Sequence, residues 1–565
     1  MKNLEIAKIL FEIAEMLELQ GVQFKPRAYQ KAARTVESLS EGIEDVYKRG
    51  ELTELPGIGE HIAKKIEELI KTGKLKYYTE LKKKLPMDVE QLGKVPGMGP
   101  KRIKLLYETI GVKNLNDLKK AAQQHKIRAI KGLGEKVEAD VLKGIGFAQT
   151  KTSRFLLGYV MPLAEEIKTK LEQLKEVKKV EIAGSYRRRK ETIGDIDILA
   201  VSSKPEKVME HFVHMKEVGD VLAHGLTKSS VRLHNGLQID LRVVKERELG
   251  SALQYFTGNK EHNVELRKIA LKKGLTLNEY GLFTLKGKKW VAGRTEEEIY
   301  RKLGVVCVPP EMRENMGELE LKNLPSLIAY GDAKGDFQMH TTWSDGQESI
   351  EAMAKRAQAL GWKFITITDH VGQVGITKPL NEKRLEEQWK EIDTIQKKAD
   401  IRIFKGAEVD ILKDGKLALS RTYLEKLDVV LASVHLATKM SSSDMTQRIV
   451  TALESNRIHI LGHPTGRLLN QREGYAFDFG KVFDAVRRTG AYLDIDCHPE
   501  RMDLSGECVK AAKGCRFALS TDAHSADGLH YLSLGEAIAR RGWLEARDVL
   551  NTHSVKEIEK KLRGK

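Results

Sequence analysis

Beyond Gly335 the sequence alternates short apolar runs with helical segments, and most of these runs end in a histidine or a carboxylate. The runs are FITITDH, VVLASVH, IHILGHP, AYLDIDC and RFALSTDAH, and SIEAMAKRAQALG is typical of the segments between them. This alternation predicts repeated βα units and a parallel sheet, which we expect to close into a barrel. Barrels of this kind place their chemistry at the C-terminal ends of the strands, where these polar residues fall.

Six polar segments recur in this half of the chain: QMHTTWSDG (338–346), TDH (368–370), GAEVD (406–410), SVH (433–435), GHP (462–464) and STDAH (520–524). Together they resemble the motifs of the polymerase-and-histidinol-phosphatase (PHP) domain. The resemblance implies eight metal ligands, which are His340, Asp345, His370, Glu408, His435, His463, Asp522 and His524. Imidazole and carboxylate ligands suit Mn²⁺, Zn²⁺ or Fe, and eight groups exceed the needs of one ion. We therefore expect a cluster of two or three ions that hydrolyses phosphate esters.

The first of these motifs departs from the family pattern. PHP domains carry His-x-His at this point, whereas this chain reads Gln338-Met339-His340, so an amide replaces one expected ligand. Gln can coordinate through its carbonyl oxygen, and the other ligands are intact. We expect an active barrel, and the alternative is a decayed barrel with a structural role.

Three similar glycine-containing segments punctuate the first 150 residues, which otherwise have a helical pattern rich in Lys, Leu, Ile and Glu. They are LPGIG (55–59), VPGMG (95–99) and IKGLGEK (130–136). A turn of this kind before a Lys-rich helix aims backbone N–H groups at a phosphate, which is the helix-hairpin-helix pattern. Three copies on a basic chain favour sequence-independent contact with a DNA backbone over simple packing turns. The candidate contacts are Gly57, Gly59, Gly97, Gly99 and Lys101.

A pattern typical of nucleotidyltransferases follows in GSYRRRKETIGDIDIL, residues 184–199. Alternation along a strand places Asp195 and Asp197 on one face, and Asp240 in LQIDLRVV lies on a strand that we expect beside it. Three converging carboxylates repel one another unless they hold cations, as two-metal phosphoryl-transfer sites do. All-oxygen ligands imply Mg²⁺ or Mn²⁺. The groups expected to bind the nucleotide phosphates here are Gly184, Ser185 and Arg188, and Gly194 is a further expected nucleotide-binding residue.

The segment YFTGNKEHNVELRKIALKKGLTLNEYGLF, residues 255–283, resembles the thumb subdomain of family X DNA polymerases. By that resemblance Tyr255, Phe256 and Gly258 would lie beside the incoming sugar, Asn263 would face the base, and Arg267 would touch the template. The resemblance also implies that Arg154 binds the triphosphate and that Arg242 contacts the catalytic carboxylates. Lys260 stands where the family has an acidic residue, which predicts an altered nucleotide affinity or selectivity.

The N-terminal order FKPRAYQKAA (24–33) and then LPGIGEHIAKKI resembles the lyase domain of DNA polymerase beta. This likeness implies that Lys65 forms a Schiff base with an abasic sugar, provided that neighbours such as Lys64 lower its pKa. A solvated phosphate contact is the alternative role for this lysine. His61 replaces a lysine that accompanies the nucleophile in the family pattern.

These motifs predict a multidomain chain: an α-helical helix-hairpin-helix region, an α+β nucleotidyltransferase core and a C-terminal α/β PHP barrel of distorted TIM type. The expected divisions are 1–80 lyase-like helices, 81–149 a helix-hairpin-helix subdomain, 150–247 palm, 248–315 thumb, 316–333 linker and 334–565 the PHP domain.

Together the resemblances identify the chain as a member of the bacterial and archaeal family X DNA polymerases with a PHP domain. They imply filling of short gaps in base excision repair, 3′-to-5′ exonuclease activity, and an abasic-site endonuclease or 3′-phosphatase activity. The expected partners are gapped or primed DNA and dNTPs. One alternative is a DNA end-binding protein that has only the PHP phosphoesterase activity. Another is an RNA-directed or small-molecule nucleotidyltransferase joined to an unrelated phosphatase.

Charge and cysteine content bound these interpretations. The formal net charge of +16 favours a polyanionic partner. Four irregularly spaced cysteines (Cys307, Cys497, Cys508 and Cys515) argue against a disulfide framework and suit a reducing cytosol. No apolar run approaches the ~20 residues that span a bilayer. We expect a cytoplasmic monomer without a membrane segment.

Overall fold

A computed structural model describes the chain except for residues 1–2, 20–21, 23, 39–42, 84, 86, 89–90, 93–94, 96–97, 99, 131, 135–136, 139–140, 142–153, 373–376 and 564–565. The chain divides into two compact units. The first contains residues 1–153, 215–222 and 231–238, and the second contains residues 154–214, 223–230 and 239–565. In the described part of the chain, every helix is too short or too polar to cross a membrane.

In the first unit, the described residues before 142 form helices joined by turns. Its helices are α1 Asn3–Leu19, α2 Lys25–Ser38, α3 Ile43–Lys48, α4 Glu60–Thr72, α5 Lys76–Lys83, α6 Pro100–Ile110 and α7 Leu115–Gln123. One apolar cluster forms around Leu10, Ala33 and Ile66, and another forms around Leu106 and Leu118. The predicted helical region is confirmed.

Helix α4 shows how the sequence sets these elements. Gly59 is its N-cap, and its buried face carries Ile62, Ile66 and Leu69 at the spacing of an amphipathic helix. Gly73 ends the helix in a left-handed conformation (φ 68°), and its N–H donates to the carbonyl of Leu69.

The second unit begins with a sheet that carries the predicted carboxylates. Strand β2 (Val177–Ile182) pairs antiparallel with β4 (Asp195–Ser202), and β7 (Gln238–Val244) lies on the other side of β4. The short strands β1 (Phe155–Leu156) and β3 (Thr192–Ile193) also pair antiparallel. Strands β5 (Val218–His224) and β6 (Lys228–Leu233) straddle the division between the units. The helices of this region are α8 Leu157–Glu172, α9 Gly184–Arg187 and α10 Pro205–Val213.

A smaller α+β layer follows in the chain. It contains α11 Leu249–Thr257, α12 Lys260–Lys272, β8 Leu275–Asn278, β9 Gly281–Thr284, β10 Trp290–Ala292 and α13 Glu296–Leu303, with the strands in the antiparallel order β10-β9-β8. Leu266, Tyr300 and Met312 lie in its apolar core. Arg313 is buried beside this core, where it forms an ion pair with Glu296.

The segment predicted as a linker, 316–333, is attached to both of its neighbours. The buried carboxylate of Glu318 lies 2.6 Å from Nδ1 of His262 in α12. The buried Ile328 donates its N–H to the carbonyl of Leu544, at 3.0 Å. This segment therefore runs along the α+β layer and the C-terminal region as packed chain.

The C-terminal region is a nearly closed parallel barrel, as predicted. Its strand order is β11-β12-β14-β15-β16-β17-β18, and β13 also pairs with β14. Beyond β11 and β18, His340 donates its N–H to the carbonyl of Ala523 (2.9 Å), and Asp522 donates to the carbonyl of Gln338 (3.1 Å). The strands are β11 Gly335–Asp336, β12 Phe364–Ile367, β13 His370–Val371, β14 Arg402–Asp410, β15 Val429–Ser433, β16 Ile460–Leu461, β17 Tyr492–Asp496 and β18 Arg516–Ser520. The helices are α14 Ile350–Ala359, α15 Glu382–Gln396, α16 Arg421–Leu424, α17 Ser442–Ser455, α18 Phe479–Thr489, α19 Gly506–Ala511, α20 Leu532–Arg541 and α21 Val555–Arg563.

Candidate active sites

The first candidate site is a cavity of about 440 Å³ above β4. Asp195 and Asp197 both line it, and Asp240 lies on the neighbouring strand β7. Burial and then the charges of Asp195 and Asp240 raise the pKa of Asp197 to about 7. Burial and then Asp240 also raise the pKa of Asp195. Such a cluster of mutually repelling oxygen ligands fits hard divalent cations.

Gly184 lets the backbone approach one of these carboxylates closely. Its φ is +66°, and a Cβ atom there would lie 2.8 Å from Oδ2 of Asp197. The N-terminal end of α9 therefore sits against the carboxylate site because residue 184 has no side chain. The adjacent Ser185 also lines the cavity.

Three cationic groups surround the carboxylates. Arg154 lines the cavity and donates from Nε to the Thr192 hydroxyl at 2.9 Å. Arg188 also lines it, and its guanidinium lies 3.0 Å from Glu314. Sequence reasoning did not single out Lys228, whose Nζ is 3.6 Å from Oδ2 of Asp240. The charges of Arg154 and Lys228 lower the pKa of Asp195 and so offset part of the repulsion among the carboxylates.

The opposite wall of the cavity comes from α11 and α12. Tyr255 and Phe256 meet edge to face at 5.0 Å, and the guanidinium of Arg242 lies 4.3 Å from the Phe256 ring centre. Asn263 donates from Nδ2 to the carbonyl of Tyr255 at 2.7 Å. The structure thus brings all nine predicted nucleotide-binding residues to one cavity. The remaining lining residues are Gly194, Gly258, Asn259, Lys260 and Arg267, of which Asn259 was missed.

In the first unit, the predicted DNA contacts are described only in part. Gly57 has φ +83°, and a Cβ atom there would lie 2.7 Å from Cγ of Lys31, so this turn requires glycine. Gly59 caps α4. Gly97 and Gly99 lie outside the described residues, as does the side chain of Lys101.

Lys65 lies on α4 with its ammonium 4.9 Å from the ring centre of Tyr77. Its Nζ donates to the carbonyl of His61 at 3.1 Å. Burial lowers the pKa of Lys65, and the charge of Lys25 lowers it further. The charge of Glu68 opposes this shift, and the pKa of Lys65 is still lowered overall, which is the direction that a Schiff-base nucleophile needs.

The second candidate site lies at the C-terminal ends of the barrel strands and is centred on Glu408. One carboxylate oxygen, Oε1, lies 2.9 Å from Nε2 of His463 and 3.2 Å from Nε2 of His435. The other, Oε2, lies 3.2 Å from His370 and 3.5 Å from His340. Glu408 is the point at which the histidines of four strands meet.

The remaining predicted ligands complete the cluster. Asp345 lies 3.6 Å from His370 and 3.6 Å from His524, and Asp522 lies 3.0 Å from Nε2 of His340. These groups form three overlapping sets of possible metal ligands: His340, Asp345, His370 and His524; His370, Glu408 and His435; His340, Glu408 and Asp522.

Several buried polar atoms at this site have no hydrogen-bond partner in the described part of the chain. They include Oε1 of Gln338 and Nδ1 of His340 and His463, all on buried side chains. The other end of the Gln338 amide donates to Asp522 at 3.3 Å. Because buried polar atoms are normally hydrogen-bonded, this donor set fits a cluster of divalent metal ions.

Ionisation in the cluster reflects competition between burial and neighbouring charge. Burial opposes the protonated form of His435, but Glu408 and Asp410 outweigh it and raise its pKa to about 10. Burial is the largest effect at His370, and together with the charges of His340 and His435 it outweighs Glu408 and lowers the pKa to about 4. Glu408 is buried as well, yet the facing histidines hold the pKa of its carboxyl well below the usual range. The cluster thus holds its central carboxylate ionised.

Further buried carboxylates, not identified from the sequence, orient the ligands. Asp410 lies 2.6 Å from Nδ1 of His435, and Asp494 accepts the N–H of His463 at 2.9 Å. Asp369 accepts the N–H of Thr341 at 2.8 Å. Asp369 and Asp410 belong to the TDH and GAEVD motifs. A carboxylate close to a predicted ligand at a strand end could therefore have identified them as residues that orient the ligands.

The fold and the two sites define a metal-dependent nucleotidyltransferase joined to a metal-dependent phosphoesterase. Family models match in the same order along the chain. They are a helix-hairpin-helix domain (1–75), a SAM-like helix-hairpin-helix tandem (89–146), the DNA polymerase beta palm (160–251), the DNA polymerase beta thumb (252–314) and the PHP domain (336–498).

Similar proteins cover the whole chain or its parts. The DNA polymerase/3′-5′ exonuclease PolX of Bacillus subtilis (strain 168) is 35% identical over 566 residues, which is 99% of both chains. DNA polymerase lambda of Rattus norvegicus is 23% identical over 55% of this chain and 56% of its own. A probable phosphatase of Thermoanaerobacter sp. (strain X514) is 28% identical over 41% of this chain and 94% of its own. The chain belongs to the family X DNA polymerases that carry a C-terminal PHP domain.

Proposed function

We propose that this protein fills short gaps in DNA at the β4 cavity and removes nucleotides from 3′ ends at the barrel. The main support is that Asp195 and Asp197 share one cavity with Arg188, Tyr255 and Asn263. Arg188 suits a triphosphate, Tyr255 a sugar and Asn263 a base. The Bacillus subtilis relative is named a DNA polymerase/3′-5′ exonuclease, which supports the pairing of these two activities.

At the polymerase site Asp195, Asp197 and Asp240 would hold two Mg²⁺ or Mn²⁺ ions. These ions, when bound, lower the pKa of the primer 3′-hydroxyl and neutralise the leaving pyrophosphate. Nε of Arg188 lies 3.0 Å from Glu314, and its Nη1 donates to the carbonyl of Thr257. The rest of this guanidinium would bind the β and γ phosphates.

The other wall would select and align the nucleotide. Tyr255, Phe256 and Gly258 lie along one side of the cavity, where they would pack against the sugar. The hydrogen bond from Asn263 to the Tyr255 carbonyl orients its amide, which would face the incoming base. Arg267 also lines the cavity and would contact the template strand.

At the barrel, the three overlapping ligand sets centred on Glu408 and His340 would hold two or three ions of Mn²⁺, Zn²⁺ or Fe. Those ions supply an activated water and neutralise the phosphoryl oxygens. Asp410 and Asp494 orient His435 and the His463 backbone, which keeps the ligands in place for each turnover. The same site would act on abasic-site and 3′-phosphate ends.

The wider setting rests on the same family. Gapped or primed DNA and dNTPs are the proposed substrates, and the helix-hairpin-helix turns at Gly57 and Gly59, with those at Gly97 and Gly99 and with Lys101, would contact the DNA backbone. We further propose a monomeric cytoplasmic protein that acts in base excision repair.

A second activity is favoured by the environment of Lys65. Its lowered pKa and its place on α4 after the Gly57 turn suit Schiff-base formation with an abasic sugar. Borohydride reduction of the mixture with abasic DNA should trap a covalent complex. Lys65→Ala should abolish the trapped complex, and Lys71→Ala, at an exposed lysine of the same helix, should retain it. Equal trapping by both variants would remove this assignment.

The experiment for the main proposal compares a gapped duplex with a single-stranded primer, each labelled at the primer 5′ end, with Mg²⁺ or Mn²⁺. We expect extension of the gapped substrate by dNTPs and trimming from the 3′ end without them. Trimming without any extension would leave only the phosphoesterase. Failure of both activities would favour a DNA end-binding protein.

A further inference from the structure

Arg501 lies beside the barrel ligands but takes no part in the proposed metal coordination. It follows β17, and its Nε is 3.3 Å from Oδ2 of Asp522 and 3.4 Å from Oδ2 of Asp496. The other oxygen of Asp522 is 3.0 Å from Nε2 of His340. One carboxylate therefore separates the guanidinium from a central member of the cluster.

The loop that carries Arg501 is held firmly. The N–H groups of Arg501 and Met502 both donate to the carbonyl of His498, at 2.8 and 2.9 Å. Asp503 donates its N–H to the carbonyl of Asp496 at 3.0 Å. The carbonyl of Arg501 accepts a hydrogen bond from Nε of Arg467 at 2.9 Å. These hydrogen bonds fix the backbone from which the Arg501 side chain extends.

Most donors of this guanidinium are available for a ligand. An arginine has five N–H donors in a planar fork, and its closest approach to each of the two carboxylates is through Nε. Among the described residues, no hydrogen bond is formed by Nη1 or Nη2, and the side chain is 18% exposed. An arginine guanidinium keeps its positive charge in proteins, so Arg501 is cationic.

We infer that Arg501 binds a nonbridging oxygen of the phosphate that the barrel hydrolyses. This inference rests on the proposed 3′-end hydrolysis. Water attacks the phosphorus, the bond to the leaving 3′ oxygen breaks, and that oxygen takes a proton to give a 3′-hydroxyl and a nucleoside 5′-monophosphate. Arg501 stabilises the negative charge that grows on the phosphoryl oxygens during this step.

The test uses the full chain with Arg501→Ala and Arg501→Lys, and Arg488→Ala as a matched control. Arg488 is an exposed arginine of the same barrel, paired with Glu454. Four quantities are measured: release of the 3′-terminal nucleotide with Mn²⁺, binding of thymidine 5′-monophosphate, metal content by elemental analysis, and primer extension.

A charged hydrogen bond of this kind predicts that Arg501→Ala slows release and weakens monophosphate binding roughly 10- to 100-fold. Arg501→Lys should lie between this variant and wild type because it keeps the charge and loses the fork. Added guanidinium ion should partly restore release in Arg501→Ala, which a structural role would not allow. Metal content and extension should not change, and Arg488→Ala should match wild type.

Wild-type release and binding in Arg501→Ala would overturn the inference. Gain of one metal ion in that variant would also overturn it, because Arg501 would then stand in place of a cation. If Arg501→Ala loses metal and added guanidinium ion does not restore nucleotide release, Arg501 has a structural role and the inference fails. If wild type itself trims no DNA, the proposed exonuclease fails, and the monophosphate affinities of wild type and Arg501→Ala still decide whether Arg501 binds phosphate.

Discussion

Gly184 lies so close to Asp197 that a Cβ atom at residue 184 would come within 2.8 Å of the carboxylate Oδ2. The backbone there also has φ +66°, a conformation that a side chain disfavours. The turn before the β4 carboxylates therefore requires glycine for two independent reasons.

Gly184→Ala should reduce primer extension by at least about 10-fold, since a shift of the carboxylate misplaces the reacting groups. Trimming by the barrel should not change. Gly287→Ala is the matched control, because Gly287 has φ +81° and a Cβ atom there would meet no described atom within 4 Å. Steady-state extension and trimming rates measure both effects, and equal extension by the two variants would contradict the close approach.

The raised pKa of Asp197, about 7, predicts pH-dependent metal binding. This carboxyl binds a proton more tightly in the folded than in the unfolded protein, so its ionisation destabilises the fold as pH rises from about 4 to 7. A bound Mg²⁺ ion relieves that cost. The increase in melting temperature on addition of Mg²⁺ should therefore be larger at pH 8 than at pH 5.5.

Asp197→Asn provides the control, because it removes the titrating group and leaves the barrel ligands intact. This variant should lose most of the pH dependence of the Mg²⁺ effect and should be more stable than wild type without metal at pH 8. If the Mg²⁺ effect on melting temperature has the same pH dependence in both proteins, groups other than Asp197 cause that dependence.

Gln338→His should restore an imidazole at the first ligand position of the barrel. The free Oε1 of Gln338 is buried beside Asp522, so a nitrogen ligand placed there would join the set formed by His340, Glu408 and Asp522. Elemental analysis after exposure to equal Zn²⁺ and Mn²⁺ should show a higher zinc share in Gln338→His than in wild type. Gln338→Ala should show no such increase; unchanged zinc in Gln338→His would place this residue outside the coordination sphere.

Glu191 and Arg541 form a buried ion pair, 2.8 Å apart, between the polymerase core and the barrel. Glu191→Ala leaves the buried guanidinium without this partner and should destabilise the protein by about 3–5 kcal/mol. Glu454→Ala breaks an exposed pair with Arg488 and should cost less than about 1 kcal/mol. Urea unfolding compares them, and equal costs would contradict a structural role for the buried pair.

The three-part fold followed from local sequence patterns because each part has its own periodicity. Short strands ending in His or Asp, as at His370 and Asp522, predicted the parallel barrel. The Asp-x-Asp strand predicted that Asp195 and Asp197 share one face, and both line the same cavity. Lys260 was identified as a departure from the family, and it also lines that cavity.

The features that the sequence did not predict depend on contacts between residues far apart in the chain. Lys228 and Asp240 are 3.6 Å apart, but nothing in their local patterns relates them. Arg501 is an ordinary charged residue in PERMD until the barrel places it beside Asp522. The predicted linker 316–333 contains proline and glycine, yet His262 and Leu544 hold it through contacts distant in sequence. Composition cannot reveal such partners.

The most direct test of two separate centres compares wild type with Asp195→Ala/Asp197→Ala and with His340→Ala/His370→Ala. The substrate is gapped DNA labelled at the primer 5′ end, with Mg²⁺ or Mn²⁺, and with or without dNTPs. We expect the first variant to lose extension and keep trimming, and the second to lose trimming and keep extension. Loss of both activities in either variant would contradict independent polymerase and phosphoesterase sites.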